Sequence, residues 1–280
     1  MEALKHLVPQ LHTFGSELFK MFLMFLLLTL IFSPLEYFFG VRSQKFLRKA
    51  WFTDLGYYFI NGVFTKSLVA FVMTWIALAI THYLPAEIRN WGHTLPLAAR
   101  LTVTMIVGEI GYYWGHRWMH EIPYLWRIHA IHHSAPELDW LVSTRAHPLD
   151  MVLPRACGFV LMFSLGLVEP LSKTGDLALI LILLIGSLLG FFVHANLRWR
   201  FGWLEWLIAT PAFHHWHHTN DGLEYINKNY SPTLPWVDLI FGTFYLPKQW
   251  PKLYGISAAM PTNLAAQLLE PFSLTKPNPN

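Results

Sequence analysis

Eleven of the fifteen histidines lie between His116 and His218, most of them in three short motifs. They read H-x-x-x-H (His116, His120), H-x-x-H-H (His129, His132, His133) and H-H-W-H-H (His214, His215, His217, His218), with His147 and His194 between. Neutral imidazole is the most common nitrogen ligand for transition metals. A single zinc ion takes only three or four protein ligands. Eight or more clustered histidines are too many for one such ion, so the number points to two.

The spacing says how the rings are presented. On a helix, positions i, i+3 and i+4 share a face, so His116 and His120 point the same way, one turn apart, before Pro123 limits their segment. His129, His132 and His133 form a second one-face set, and His214, His217 and His218 a third. Three helices bearing two, three and three imidazoles can converge on one pocket. Closely spaced ions with mostly imidazole ligands suit iron ahead of zinc or copper.

Other chemistries lack their residues in this sequence. Cys157 is the sole cysteine, which excludes a disulfide within the chain and cysteine-based zinc or iron–sulfur sites. His120-Glu121 begins like a zinc-protease motif, but Tyr124 stands where H-E-x-x-H needs histidine. The Glu-x-x-His pattern of soluble di-iron bundles, the phosphate-binding loop, the dinucleotide fingerprint and the serine nucleophile elbow are all missing. No nucleic-acid partner is expected.

The elements that must position these rings are apolar. Of 280 residues, 54% are hydrophobic and only 13% charged, about half the charge of an average soluble domain, so lipid must cover part of the surface. Five segments are candidates for the bilayer: Leu18–Phe39, Leu55–Tyr83, Leu97–Trp114, Val152–Val168 and Leu177–Val193. The last two, joined by Glu169–Asp176, read as a membrane hairpin over 152–193. Arg42, Lys45, Arg48 and Lys49 crowd the loop after the first segment, and Arg117, Arg127, Arg145, Arg198 and Arg200 accompany the histidines. By the positive-inside rule, and by parity if every segment crosses, the histidine cluster faces the cytoplasm. The expected fold is all-α: an integral-membrane, multi-pass bundle of about four to five hydrophobic helices with a cytoplasmic helical cap. Membrane helices would occupy 1–96, the histidine domain 97–250 and a C-terminal tail 251–280. Within the cap a short interfacial helix is expected near Trp203–Ala209, and fraying from Pro271 to Asn280.

The three boxes, their order and their hydrophobic setting resemble the fatty acid hydroxylase/sterol desaturase superfamily of membrane-bound, non-haem di-iron enzymes. Arg145-x-His147-Pro148, His194-x-Asn196, Thr210-Pro211, Lys228-Asn229-Tyr230 and Asp238-x-x-x-Gly242-Thr243 belong to the match, which runs from about Ile106 to Tyr245. The resemblance implies two iron ions, O2 as co-substrate, and hydroxylation or desaturation of a lipid or sterol-like C–H bond. It carries the metal-ligand role to His116, His120, His129, His132, His133, His214, His217 and His218, with His147 and His194 at the linking positions. His215 fills a slot that is often arginine in relatives and points away from His214, which suggests a phosphate- or carboxylate-facing role. Metal-bound histidines donate their other N–H outward. Glu109, Asp150, Asn196, Glu205, Asn229 and Asp238 are the candidates to receive those bonds.

The chain carries no haem-binding, flavin or nicotinamide signature, so a separate reductase, ferredoxin or cytochrome would supply electrons. Ether-lipid monooxygenation and carotenoid hydroxylation would use the same centre. From other classes, a metal transporter would place ionisable ligands in mid-span, and a bis-histidine haem carrier would leave most of the cluster unexplained.

Overall fold

The computed structural model describes residues 2–169 and 176–273, with side chains from residue 14 onward. Within these limits the chain is helical, without named strands. Helix α1 (Glu2–Phe39) is followed by α2 (Trp51–Ile60), which continues through a π-helical turn at Asn61–Thr65 into α3 (Lys66–Tyr83). After the short α4 (Ala86–Arg89) come α5 (Leu97–Glu121) and α6 (Pro123–His133). The apolar pair α7 (Val152–Ser164) and α8 (Leu177–His194) is next, then α9 (Pro211–His217), α10 (Trp236–Phe241) and α11 (Leu264–Leu269).

Local chemistry explains several boundaries. Pro123 and Pro211 open α6 and α9 at the first helical position, where a missing N–H costs nothing. The Asp176 carboxylate caps α8 by accepting from the Ala178 amide, and Gly242, with φ of 75°, closes α10 in the left-handed region.

Three helical stretches are long and apolar enough to cross a membrane: Phe14–Phe39, Trp51–Tyr83 and Leu177–His194. At most 17% of their most apolar windows is buried within the protein, so most of that surface needs an apolar solvent. This is fewer than the five expected segments. Leu97–Trp114 lies inside α5, which also carries Arg100, Glu109 and Arg117. Val152–Val168 stops being helical at Ser164, and thirteen residues reach only about 20 Å, short of a bilayer core.

Hydrogen bonds fix how the apolar helices stand. At one end, the Arg198 amide donates to the Phe39 carbonyl at 2.9 Å, so α1 and α8 finish side by side. At the other, Arg100 pairs with Asp176 at 2.6 Å and the Gly92 amide donates to Leu165, joining the start of α5, the end of α7 and the start of α8. Most of the turn between α7 and α8 (170–175) lies outside the described residues. Helices α5 and α7 pack backbone to backbone: a Cβ on Gly111 would sit 2.5 Å from the Cys157 carbonyl oxygen, and one on Gly115 2.6 Å from Pro154 Cα. Small residues permit this approach where helices meet in lipid.

The membrane-side helices are tied to the cap by charge. Arg48 makes a two-pronged bond to Asp139 (both 2.7 Å) and pairs with Asp54 at 2.6 Å; Arg145 reaches Asp54 at 2.7 Å. All four residues are buried. Arg48 and Arg145 are therefore spent inside the protein and are not free interfacial charges. The segment around Trp203 forms a 3-10 turn, Gly202–Trp206, in place of a Trp203–Ala209 helix. Residues 251–273 pack onto α2 and the histidine region: Leu264 lies under Gly56, and Arg127 donates to the Glu270 and Ser273 carbonyls. The sequence leads one to expect fraying over Pro271–Asn280, but Pro271 is buried, Pro271 and Phe272 lie in a 3-10 turn and Ser273 accepts from Arg127, while 274–280 lie outside the described residues.

Candidate metal centre

Nine histidines meet in two adjoining groups. His116, His120, His129, His133 and His217 form one, and His132, His194, His214 and His218 the other; within each, the candidate ligand atoms lie within 4.8 Å of one another. Helical angles explain the partition. His116/His120, His129/His133 and His214/His218 are i,i+4 pairs, about 40° apart around the axis, and each pair stays in one group. His132 and His217 sit one residue off those pairs, about 100° away, and each crosses to the other group. The expected one-face triplets are thus divided two and one.

The nitrogen spacings are those of ligands around an ion. Two nitrogens bound at about 2.1 Å lie about 3.0 Å apart when the bonds meet at right angles, and about 3.4 Å apart in a tetrahedron. His194 Nε2 stands 2.9, 3.2 and 3.3 Å from Nε2 of His214, His132 and His218. In the five-residue group, His129 Nε2 is 3.1 Å from both His116 and His133 Nε2.

Outward bonds set the tautomers. Nδ1 of His116, His132, His194 and His217 faces the carbonyl oxygens of Tyr230 (2.6 Å), Arg145 (3.0 Å), Gly190 (2.7 Å) and Lys228 (2.9 Å). His129 Nδ1 faces Asp150 Oδ1 at 2.7 Å. A carbonyl or carboxylate can only accept, so Nδ1 carries the proton and the Nε2 lone pair turns inward. His217 Nε2 is buried with no hydrogen-bond partner. Lone pairs converging without a proton between them repel unless a cation sits among them, so this donor set fits metal ions.

Electrostatics agree. Burial, then the neighbouring imidazole of His129, pushes His132 down to about 4. Burial first, then imidazole neighbours, drives His133, His214 and His218 well below the ordinary range, as burial and His116 do for His217. These rings are held neutral, the form that binds metal.

His147 is not brought to either group. Its Nδ1 accepts from the Leu149 amide at 3.1 Å and its Nε2 donates to the Leu268 carbonyl at 3.2 Å, so the ring's lone pair is already used. His215 points away from both groups. It is fully buried between the Tyr254 hydroxyl (2.7 Å) and the Ala195 carbonyl (3.0 Å), and it faces neither phosphate nor carboxylate.

Of the six polar candidates, Asp150 alone touches a clustered histidine. Asp238 accepts from the Tyr230 and Ser231 amides, and Asn229 donates to the Phe213 and Tyr245 carbonyls. Together they shape the loop whose Lys228 and Tyr230 carbonyls meet His217 and His116. Glu109 accepts from the Thr233 and Leu234 amides, which pins that loop to α5. Asn196 exchanges hydrogen bonds with the Arg42 backbone, and Glu205 binds Arg200 and the Phe201 amide, both away from the rings. Sequence reasoning missed the carbonyl partners, which are invisible as residue types. One signal lay nearby: Asn227 and Asn229 adopt positive φ (58° and 60°), a conformation asparagine tolerates.

Apolar helices long enough to cross a membrane, joined to a buried cluster of nine histidines that could hold metal ions, define the class of this chain. The chain belongs to the fatty acid hydroxylase family, which matches residues 101–243, just over half of its length. It is 32% identical over 185 residues to the ornithine lipid hydroxylase OlsE of Rhizobium tropici, covering 65% of this chain and 53% of that one. Alkylglycerol monooxygenase of Xenopus tropicalis is 28% identical over 172 residues, covering 61% of this chain and 35% of its own. Methylsterol monooxygenase 2-2 of Arabidopsis thaliana is 29% identical over 152 residues, covering 52% and 53%. The chain thus spans about half or less of these relatives. No solved structure matches it.

Proposed function

We propose that the two histidine groups hold two non-haem iron ions and that the protein hydroxylates a C–H bond of a lipid or sterol-like molecule. The observation that carries this reading is the convergence of inward-facing imidazole nitrogens into two adjoining groups at ligand spacing, where the apolar helices end. When bound, the iron would supply O2 activation; overall, the C–H bond, O2, two electrons and two protons give the alcohol and water. The nine histidines bind, and Asp150 with the Tyr230, Arg145, Gly190 and Lys228 carbonyls holds their rings in register. The buried shell around the rings excludes bulk water.

We also propose a division into membrane helices over 1–96, a histidine domain over 97–250 and a C-terminal tail over 251–280, with α1, α2–α3, α5 and the α7–α8 hairpin forming the membrane part. We place the cluster on the cytoplasmic face, supported by the exposed Lys45, Lys49 and Arg198 near the ends of α1 and α8. A separate electron donor would dock there, since two electrons are needed per turnover. The hydrophobic substrate would enter from the bilayer.

The test is metal analysis with oxygen uptake on the purified protein. Two iron ions per chain, and lipid-dependent O2 consumption lost in His217→Ala, are expected. Fewer than two ions in a fully loaded sample, or a haem spectrum, would overturn the assignment. Lipid profiles of a deletion strain, complemented with wild type or with His217→Ala, would then name the substrate.

A further inference from the structure

A polar cavity lies where α1 and α8 end. A cavity of about 280 Å³ opens there, lined by Ser33, Glu36, Gln44, Lys45, Asn196 and Arg198 among others. Its volume is many times the space of one water molecule (about 30 Å³), so it has room for a chemical group. None of its lining residues belongs to the histidine groups.

The polar atoms around it are unevenly satisfied. Glu36 accepts on Oε1 from the Trp140 amide (2.8 Å) and the Asn196 amide (3.0 Å), while no described residue donates to its Oε2. Gln44 Nε2 and Ser33 Oγ are buried without partners. Asp139 is saturated by Arg48 and two amides, and Arg42 is occupied by the Pro251 carbonyl and the Tyr254 ring. Lys45 and Arg198 are exposed on the rim, and their side chains have no partner among the described residues. What remains is the half-buried carboxyl group of Glu36, unused amide and hydroxyl groups of Gln44 and Ser33, and the two exposed cations Lys45 and Arg198. Tyr37, Phe38 and Phe46, all strongly exposed, flank the opening.

A buried polar group without a partner is costly unless something binds it. A carboxyl group and two rim cations are complementary to a group that is positive at its tip and negative behind, and the aromatic flank suits an acyl chain. We propose that this cavity binds the headgroup of a zwitterionic lipid, with a primary ammonium donating to Glu36 Oε2 and a phosphate or carboxylate held between Lys45 and Arg198. This binding does not depend on the reaction at the histidine groups.

Native mass spectrometry of the full-length protein in detergent tests it, with phosphatidylethanolamine, phosphatidylglycerol and diacylglycerol added separately. Wild type should retain phosphatidylethanolamine about tenfold better than phosphatidylglycerol, the scale of one hydrogen bond to a charged group, and diacylglycerol least. Glu36→Gln keeps an oxygen for the two amides but cannot ionise against an ammonium, and should abolish that preference. The double variant Lys45→Ala/Arg198→Ala, confined to exposed side chains, should weaken both phospholipids toward diacylglycerol. Equal retention of the two phospholipids by wild type, or an unchanged preference in Glu36→Gln, would overturn the proposal. Displacement by an equal concentration of water-soluble glycerophosphoethanolamine would assign the site to a soluble ligand and overturn its lipid part.

Discussion

Asp150→Asn isolates one contact at the metal centre. The Asp150 carboxylate receives the His129 Nδ1 proton at 2.7 Å, both side chains are buried, and His129 Nε2 sits 3.1 Å from two other ring nitrogens of the five-histidine group. Asparagine has the same shape and can still offer an oxygen, but it lacks the charge that makes the imidazole a stronger donor to metal. Losing an outer partner of this kind costs about 10- to 100-fold in metal affinity, or about 1.4 to 2.8 kcal/mol. Asp150→Ala should cost more, because it also leaves the Nδ1–H unpaired at about 1–3 kcal/mol. The assay is titration of metal-stripped, detergent-purified protein with Co(II) against a competing chelator, resolving the two binding steps. No side chain of the four-histidine group touches Asp150, so the loss should fall on one ion and leave the other within about twofold. Equal weakening of both steps would mean that Asp150 supports the cap as a whole, and an unchanged titration would mean that the contact does not orient the ring.

Gly111→Ala should destabilise by about 1–3 kcal/mol, because its Cβ would lie 2.5 Å from a backbone oxygen of α7; Gly186→Ala, with nothing within 4 Å, is the control, and equal thermal midpoints would refute the seam. His147→Ala should leave the metal content unchanged while His217→Ala lowers it, read by elemental analysis; loss of an ion from His147→Ala would return that ring to the ligand set. For the metal-free protein, stability should fall as pH drops from about 6.5 toward 4. The unfolded chain takes up protons there, while burial holds His132 at about 4 and keeps His133, His214, His217 and His218 well below the ordinary imidazole range. The unfolded state then binds more protons, so stability rises with pH, and chemical denaturation of chelator-treated protein at pH 7.5 and 5 should show it; a flat profile would refute the buried, neutral assignment.

The histidine boxes were legible because helical spacing survives translation into structure: residues four apart stay together wherever the helix goes. The same arithmetic contained the division into two groups, since His132 and His217 stand about 100° from their neighbouring pairs. His147 misled because its motif says nothing of where a loop turns its ring, and the Leu268 carbonyl that receives it lies 121 residues away. Glu109, Asn229 and Asp238 were recognisable as important polar residues, yet they act on backbone amides and carbonyls that no residue alphabet records. In the apolar part, α1, α2–α3 and α8 declared themselves by composition. Helix α5 did so less clearly, because Arg100 and Glu109 hold loops at its two levels, and α7 is short. Arg48 and Arg145 look like interfacial charges in sequence, and only the fold reveals that Asp54 and Asp139 neutralise them.

The position of His132 and His194 has a consequence for how the protein is made. They stand 62 residues apart, one before α7 and the other the last residue of α8, with their Nε2 atoms 3.2 Å from each other. An ion held by that pair would be a cross-link closing the hairpin at its base. By the loop-entropy measure used for disulfides, such a closure is worth about 4 kcal/mol against the unfolded chain. A closed loop cannot be threaded through a translocation channel as a single strand. On the proposed function, metal loading of this group would follow hairpin insertion, and the ion would act as the latch that records its completion.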